Sequence, residues 1–157
     1  MIFQPIKKRC SEMNEELKHR FYINTDKSKL DIQMVHDFLQ TSYWAENIPL
    51  ATVEKSINNS LCFGLYEDNQ QVGFARVITD YATSALLKDV FILEPYRGQG
   101  LGKWFVEYIL EYPELQDVQR WLLGTKDAHG LYRRYGFKNL TEPEKIMMRL
   151  NTNANQA

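Results

Sequence analysis

Cysteine is scarce in this chain of 157 residues. Cys10 and Cys62 are too few for a disulfide framework, and neither sits in a CxxC or His-rich spacing that would hold zinc. His19, His36 and His129 are scattered and form no ligand spacing, so no metal is expected. Long apolar runs are missing too. No stretch approaches the roughly 18 residues that a membrane span needs, and the opening MIFQPIKKRC has no apolar core of a signal peptide. Nor is there an excess of charge of one sign. Nineteen Lys plus Arg against twenty Asp plus Glu leave a net charge of -1, so no global field would hold the protein on nucleic acid or an anionic membrane. Any anion site must be local, and a reducing, cytoplasmic location is the expectation. Repeats and low-complexity blocks are absent, apart from a polar tail over residues 151–157 that is expected to fray.

Apolar side chains, in contrast, are plentiful. Hydrophobic residues make up 44% and aromatic residues 13%, spread along the length, which predicts one domain over residues 1–150. The first 20 residues show no clear pattern. Phe21 to Asn24 reads as a short strand. Asp31 is placed as an N-cap, after which Met34, Val35, Phe38, Leu39 and Tyr43 recur at helical spacing. Pro49 interrupts, and Thr52 to Ile57 reads as a second short helix. Leu61 to Tyr66 and Val72 to Thr79 form a hairpin around Glu67 to Gln70, and Leu86 to Leu93 follows through a loop centred near Ala82 and Thr83. A helix over Leu101 to Leu110 ends at Pro113. Val118 to Leu123 then reads as a strand, Asp127 to Tyr135 as a helix closed by Gly136 at C′, and Ile146 to Leu150 as a last strand. The order β-α-α-β-β-β-α-β-α-β predicts an α+β fold: a mixed, mostly antiparallel sheet with helices on both faces.

The densest chemical signal is Arg97-Gly98-Gln99-Gly100-Leu101-Gly102-Lys103, between a strand and a helix. Glycines let the backbone turn with positive φ and approach a ligand closely, while the helix N-terminus offers unpaired N–H groups and positive potential. This is an anion cradle suited to phosphate. The P-loop pattern fails, because three residues rather than four separate Gly98 from Gly102-Lys103, and Trp104 stands where Ser or Thr is needed. The dinucleotide fingerprint fails as well, since it needs glycine at the position of Lys103.

The loop resembles that of the GCN5-related N-acetyltransferase (GNAT) superfamily, Arg/Gln-x-x-Gly-x-Gly/Ala, through Arg97, Gly100 and Gly102. A second motif agrees: Leu131-Tyr132-Arg133-Arg134-Tyr135-Gly136-Phe137 is similar to the family's Leu-Tyr-x-x-x-Gly-Phe. The resemblance covers roughly residues 20 to 150 and implies a splayed pair of parallel strands with acetyl-CoA in the gap. Its pantetheine would bond the backbone of Val90, Phe91 and Ile92. Its pyrophosphate would take the amides of Gly98, Gln99, Gly100, Leu101, Gly102 and Lys103 beside Arg97. Thr125 stands where the family often has a cofactor-binding or capping Asn. Tyr132 matches the tyrosine that faces the thioester sulfur, a general acid, and Tyr135 is expected to pack.

The strand after the loop helix carries no carboxylate over Arg120 to Leu123, so the glutamate base of some members is missing. Asp89 is the candidate base, and a cross-strand ion pair with Arg76 is its other reading, with Glu94 behind it. Tyr43, Trp44 and Glu46 are candidates for a wall that receives a cationic amine. Arg133 and Arg134 read mainly as a solvated helix face, and Cys62 as a buried strand residue without a partner base. The implied activity is direct acetyl transfer from acetyl-CoA to a primary amine of a small molecule or peptide. A non-catalytic acyl-CoA-binding module and an O-acyl transferase are the alternatives, and a homodimer is a family-level expectation.

Overall fold

The computed structural model describes residues 15–151; Cys10 and the tail from Thr152 onward lie outside the described residues. A short helix α1 (Glu15–Arg20) leads into β1 (Phe21–Asn24), and then α2 (Ile32–Leu39) and α3 (Leu50–Asn58) precede three long strands. These are β2 (Leu61–Glu67), β3 (Gln70–Thr79) and β4 (Ser84–Ile92). Helix α4 (Leu101–Leu110), strand β5 (Arg120–Leu123) and helix α5 (His129–Arg133) complete the set. Strand order is β1-β2-β3-β4-β5, with the first four antiparallel and β5 parallel to β4. The mixed sheet and its element order match the sequence reading, apart from α1, which lies in the stretch that showed no pattern, and one further exception.

That exception is the last strand. Residues Ile146 to Leu150 form no strand among the described residues, and the sheet ends at β5. A turn at Pro143–Lys145 diverts the chain, and residues 146–150 pair with no strand of the sheet.

The local signals explain the elements that formed. The Asp31 side chain accepts from the Met34 amide at 2.9 Å, as an N-cap should. Helix α2 stops at Leu39, short of Tyr43, because Thr41 and Ser42 hydroxyls donate to the carbonyls of Phe38 and Leu39 (2.9 and 2.7 Å) and satisfy its C-terminus. At the β3–β4 turn the Asp80 carboxylate accepts from the Thr83 hydroxyl and from the amides of Ala82, Thr83 and Ser84, which holds its pKa far below the usual range.

The sheet separates two apolar layers. Phe63, Leu65, Ala75, Val77, Ala85 and Leu87 meet Leu101, Phe105 and Ile109 of α4 on one face. Cys62, Phe74 and Phe91 meet Val35 and Leu39 of α2 and Val53 and Ile57 of α3 on the other. Each fully buried Val, Leu, Ile or Phe among them is worth about 1.5–3 kcal/mol, so the two layers clamp the sheet from both sides.

Strand β4 does not keep one parity along its length. Ala85 and Leu87 face α4, yet beyond them the even-numbered Val90 and Ile92 join that layer and Phe91 joins the other. The pairing with β3 shifts by one residue between Phe74↔Phe91 and Arg76↔Lys88, which is a β-bulge. Asp89 is the extra residue, with φ at +54°. A loop centred between Ala82 and Thr83 would set residue 89 opposite Arg76, whereas Lys88 is its Cα partner; the bulge nevertheless brings the Asp89 carboxylate to the Arg76 guanidinium.

Candidate functional site

The cleft begins where β4 and β5 part. Their register runs from Ser84↔Arg120 to Leu87↔Leu123; β4 then continues to Ile92 while β5 ends. The gap therefore opens immediately before the bulge at Asp89, and the side of β4 facing it carries Val90, Phe91 and Ile92. A parallel pair that stops sharing hydrogen bonds leaves backbone groups free for a ligand.

Beyond the end of β4 the chain turns through Glu94–Tyr96 into the glycine loop, so Glu94 sits in that turn, away from the cleft wall. Gly98 and Gly100 have φ of +81° and +91°, a conformation that an L side chain adopts only with strain. Gly100 is the N-cap of α4, and the first helical bond runs from the Trp104 amide to its carbonyl at 3.2 Å. The amides before Trp104 are thus left by helix geometry without an intrahelical acceptor. A Cβ built at Gly98, Gly100 or Gly102 meets no atom within 4 Å, so the cradle is open. Arg97 is committed in part: its Nε donates to the Ile92 carbonyl at 2.8 Å and ties the loop to the end of β4. Gln99 donates to the Tyr96 carbonyl at 2.9 Å. A phosphate or pyrophosphate fits the remaining donors.

Helix α5 brings in Tyr132. The Phe137 amide donates to the Tyr132 carbonyl (3.3 Å) and the Gly136 amide to the Arg133 carbonyl (3.2 Å), with Gly136 at φ +88°. This is a Schellman motif with glycine at C′, and its apolar contact is the edge-on packing of Phe137 against Tyr132, ring centroids 5.8 Å apart. The Tyr132 ring is thereby held over the cleft, 8% exposed. Burial, with Tyr43 and Asp127 nearby, pushes its phenol up to about 12. Tyr135 donates to the Lys103 carbonyl at 2.8 Å, tying α5 to α4 as a packing residue. Thr125 accepts from the Ala128 amide at 3.0 Å, which fixes the turn that leads into α5.

Opposite lies a wall from the loop after α2. One cleft of about 750 Å³ is lined by Tyr43, Trp44 and Glu46 together with Asp89, Val90, Thr125 and Tyr132. Tyr43 accepts the Lys126 amide at 2.9 Å, and Trp44 packs edge-on against it at 5.0 Å. Trp44 Nε1 donates to Asp89 Oδ1 at 3.1 Å, and Arg76 Nε donates to the other oxygen. Arg76 also donates to Ser60 at 3.1 Å. Asp89 is therefore a buried carboxylate engaged on both oxygens, one of them by the wall itself. Lys88 and Lys126 also line the cleft, and sequence reasoning passed over both. The only signal for Lys88 was its place beside Asp89 in an apolar strand, and Lys126 gave none.

Burial pushes the Cys62 thiol up to about 11, which removes it as a nucleophile. Among the described residues no group of His, Cys, Asp or Glu is arranged to hold a metal ion. No described helix is long and apolar enough to cross a membrane.

Comparison with known proteins agrees with this geometry. The family model of the acetyltransferase (GNAT) domain matches residues 58–139. A protein of Xanthomonas campestris, whose crystal structure is assigned to the GNAT acetyltransferases, is 45% identical. It covers 87% of this chain and 97% of its own, with a TM-score of 0.82. A Gibberella zeae protein assigned as an acetyltransferase is 29% identical over 78% of this chain and 81% of its own length. The fold is also that of a Clostridium acetobutylicum protein crystallised with acetyl-CoA, at a TM-score of 0.63 and 16% identity, covering 83% of this chain and 96% of that one. With its glycine cradle, its parted strands and a family match spanning both, the chain belongs to the GNAT family of acetyltransferases.

Proposed function

We propose that the chain transfers an acetyl group from acetyl-CoA to a primary amine of a small molecule or peptide. One observation carries the reading: the gap beyond Leu87 and Leu123 is continuous with a cleft that presents Tyr132 on one side and the Tyr43–Trp44–Glu46 wall on the other. The amides of Gly98 to Lys103 would hold the donor's pyrophosphate, with Arg97 fixing the loop. The backbone edge of Val90, Phe91 and Ile92, with the Ile92 carbonyl held by Arg97, would orient its pantetheine arm, with Thr125 on the facing side.

In this reading the amine nitrogen attacks the acetyl carbonyl, the C–S bond breaks and the thiolate leaves. Tyr132 serves as a hydrogen-bond donor to that sulfur. A phenol near 12 is a weaker acid than an ordinary thiol near 8.5, so full proton transfer is uphill by about 5 kcal/mol and the phenol stabilises the thiolate by hydrogen bonding. An ammonium acceptor gives up one net proton per turnover. Asp89 was the candidate base; with both oxygens engaged, its part here is to hold Trp44, and the proton leaves through solvent past Glu46.

Titration with acetyl-CoA followed by an amine screen for thiol release tests the proposal. Binding and amine-dependent thiol release are expected. Binding without release from any amine would favour a non-catalytic module, and absence of binding by the folded protein would overturn the reading.

A further inference from the structure

The acceptor side of the cleft carries charges of both signs that the chain itself leaves uncompensated. Arg76 and Asp89 cancel each other, since guanidinium and carboxylate are paired and buried. Of the other charged residues lining the cleft, Glu46 and Asp127 carry one sign and Lys88 and Lys126 the other. All four are exposed, and among the described residues none of them has an ion-pair partner.

The register fixes where the lysines stand. Leu87 and Leu123 are the last pair of β4 and β5. Lys88 follows directly on one strand and Lys126 lies a few residues beyond the pair on the other, so each lip of the gap carries a lysine where the strands part. Lys88 is the Cα partner of Arg76, and partners across a ladder point to the same face. Arg76 reaches Ser60, just beyond α3, so that face is the one carrying α2, α3 and the acceptor wall. Lys126 is held from two directions: its amide donates to the Tyr43 hydroxyl at 2.9 Å, and its ammonium lies over the Tyr43 ring, 5.6 Å from the centroid. The aromatic face that could receive a cationic amine is thus already covered by a cation of the chain itself.

Two uncompensated ammonium groups repel an acceptor that carries only positive charge and hold one that also carries a negative group. The carboxylates stand ready for the other end: Glu46 on the wall, and Asp127 near the Tyr132 phenol. Resting on the proposed function, we infer that the acceptor is a small amine that also bears an anionic group, with Lys88 and Lys126 gripping that group while Glu46 and Asp127 face the ammonium. Amino acids and aminoalkyl phosphates share this chemistry; polyamines are rejected by the same lysines.

The test follows thiol release from acetyl-CoA. It compares amino acids with their own amides, which keep the amine and lose the negative charge, and aminoalkyl phosphates with the parent amino alcohols. The amine of an amide gives up its proton more readily, so intrinsic reactivity favours the amide, and a preference for the acid has to come from the site. The charged member of a pair should have the higher kcat/KM by about tenfold or more, the scale of hydrogen bonds to a charged group. The pair with the larger ratio identifies carboxylate or phosphate as the group held. Lys88→Met and Lys126→Met should each reduce that ratio, and Lys88→Glu should turn it in favour of the uncharged member, with circular dichroism checking that the fold is kept. Equal kcat/KM within every pair, faster turnover of polyamines than of the charged members, or a ratio that neither lysine moves would overturn the inference and leave acetyl transfer standing. Faster transfer from succinyl-CoA to uncharged amines, abolished by the lysine substitutions, would place the anion on the acyl chain and overturn it as well. Thiol release with no amine at all would remove the proposed function, and the inference with it.

Discussion

If the loop at Gly98–Lys103 holds a pyrophosphate, a charge placed at Gly100 should weaken binding by an amount that a neutral side chain of the same shape does not. Gly100→Glu and Gly100→Gln form the pair. Both impose the same backbone strain, since the left-handed conformation at φ +91° costs a side-chain-bearing residue about 1–2 kcal/mol. Both also enter the same open space, where a Cβ meets nothing within 4 Å. Their difference is one negative charge. With about two unit charges on the pyrophosphate roughly 5 Å away, Coulomb's law gives ~1.7 kcal/mol at a dielectric constant near 80 and ~3.3 kcal/mol near 40. Gly100→Glu should therefore bind acetyl-CoA about 15- to 300-fold more weakly than Gly100→Gln, and the gap should narrow as salt shortens the Debye length from about 10 Å to about 3 Å. Gly102→Ala is the control: its backbone is not in the left-handed region, so it should bind nearly as the parent does and lose no stability. Calorimetric titration at two salt concentrations measures all three. Equal affinities for the Glu and Gln variants would refute the phosphate cradle.

Tyr132→Phe should lower kcat by roughly 10- to 100-fold with little change in the KM for acetyl-CoA, read by steady-state thiol release. An unchanged kcat would remove the phenol from the reaction. Asp89→Asn, which keeps the shape but not the charge facing Arg76, should raise the KM for the amine more than it lowers kcat. A loss confined to kcat would return Asp89 to the role of base. The third expectation concerns alkaline stability. The unfolded Tyr132 phenol loses its proton near pH 10 and the folded one only near 12, so above pH 10 the unfolded state binds fewer protons and stability falls as pH rises. Urea midpoints should drop between pH 10 and 12; the part due to Tyr132, up to about 2–3 kcal/mol, should be missing in Tyr132→Phe, leaving the drop from Tyr66, whose phenol burial also pushes up to about 12, and from the buried Cys62 thiol.

Features written in neighbouring residues were legible in the sequence. The cap at Asp31, helix Leu101–Leu110, strand Phe21–Asn24 and the glycine at the end of α5 all depend on local spacing, and all formed as read. The end of α2 was misread because Tyr43 keeps the helical period, while the hydroxyls of Thr41 and Ser42 that stop the helix act through hydrogen bonds. The bulge at Asp89 was invisible because Leu86 to Leu93 is apolar on both sides of the irregularity, so its alternation has no single phase to break. The expected last strand shows another limit: alternation says that Ile146 to Leu150 can pair, and only the surrounding edges decide with what. The cradle and Tyr132 could be placed from two motifs, but the meeting of Tyr43 with Lys126 spans 83 positions and has no sequence signature.

The bulge in β4 also makes that strand unequally tolerant of change in length. Deleting Asp89 would restore an unbroken alternation and leave every side chain beyond it on its present face, but it would remove the carboxylate that Arg76 and Trp44 share. A deletion at Val90 or Phe91, beyond the bulge, would instead shift the residues that follow to the opposite face, taking Ile92 out of the layer beneath α4. In descendants of this sequence, single-residue gaps should accumulate in the turns at Asp68 and Tyr81 and be purged between Leu87 and Val90, because the extra residue carries the carboxylate that holds Arg76 and Trp44 and bends the strand where the cleft opens.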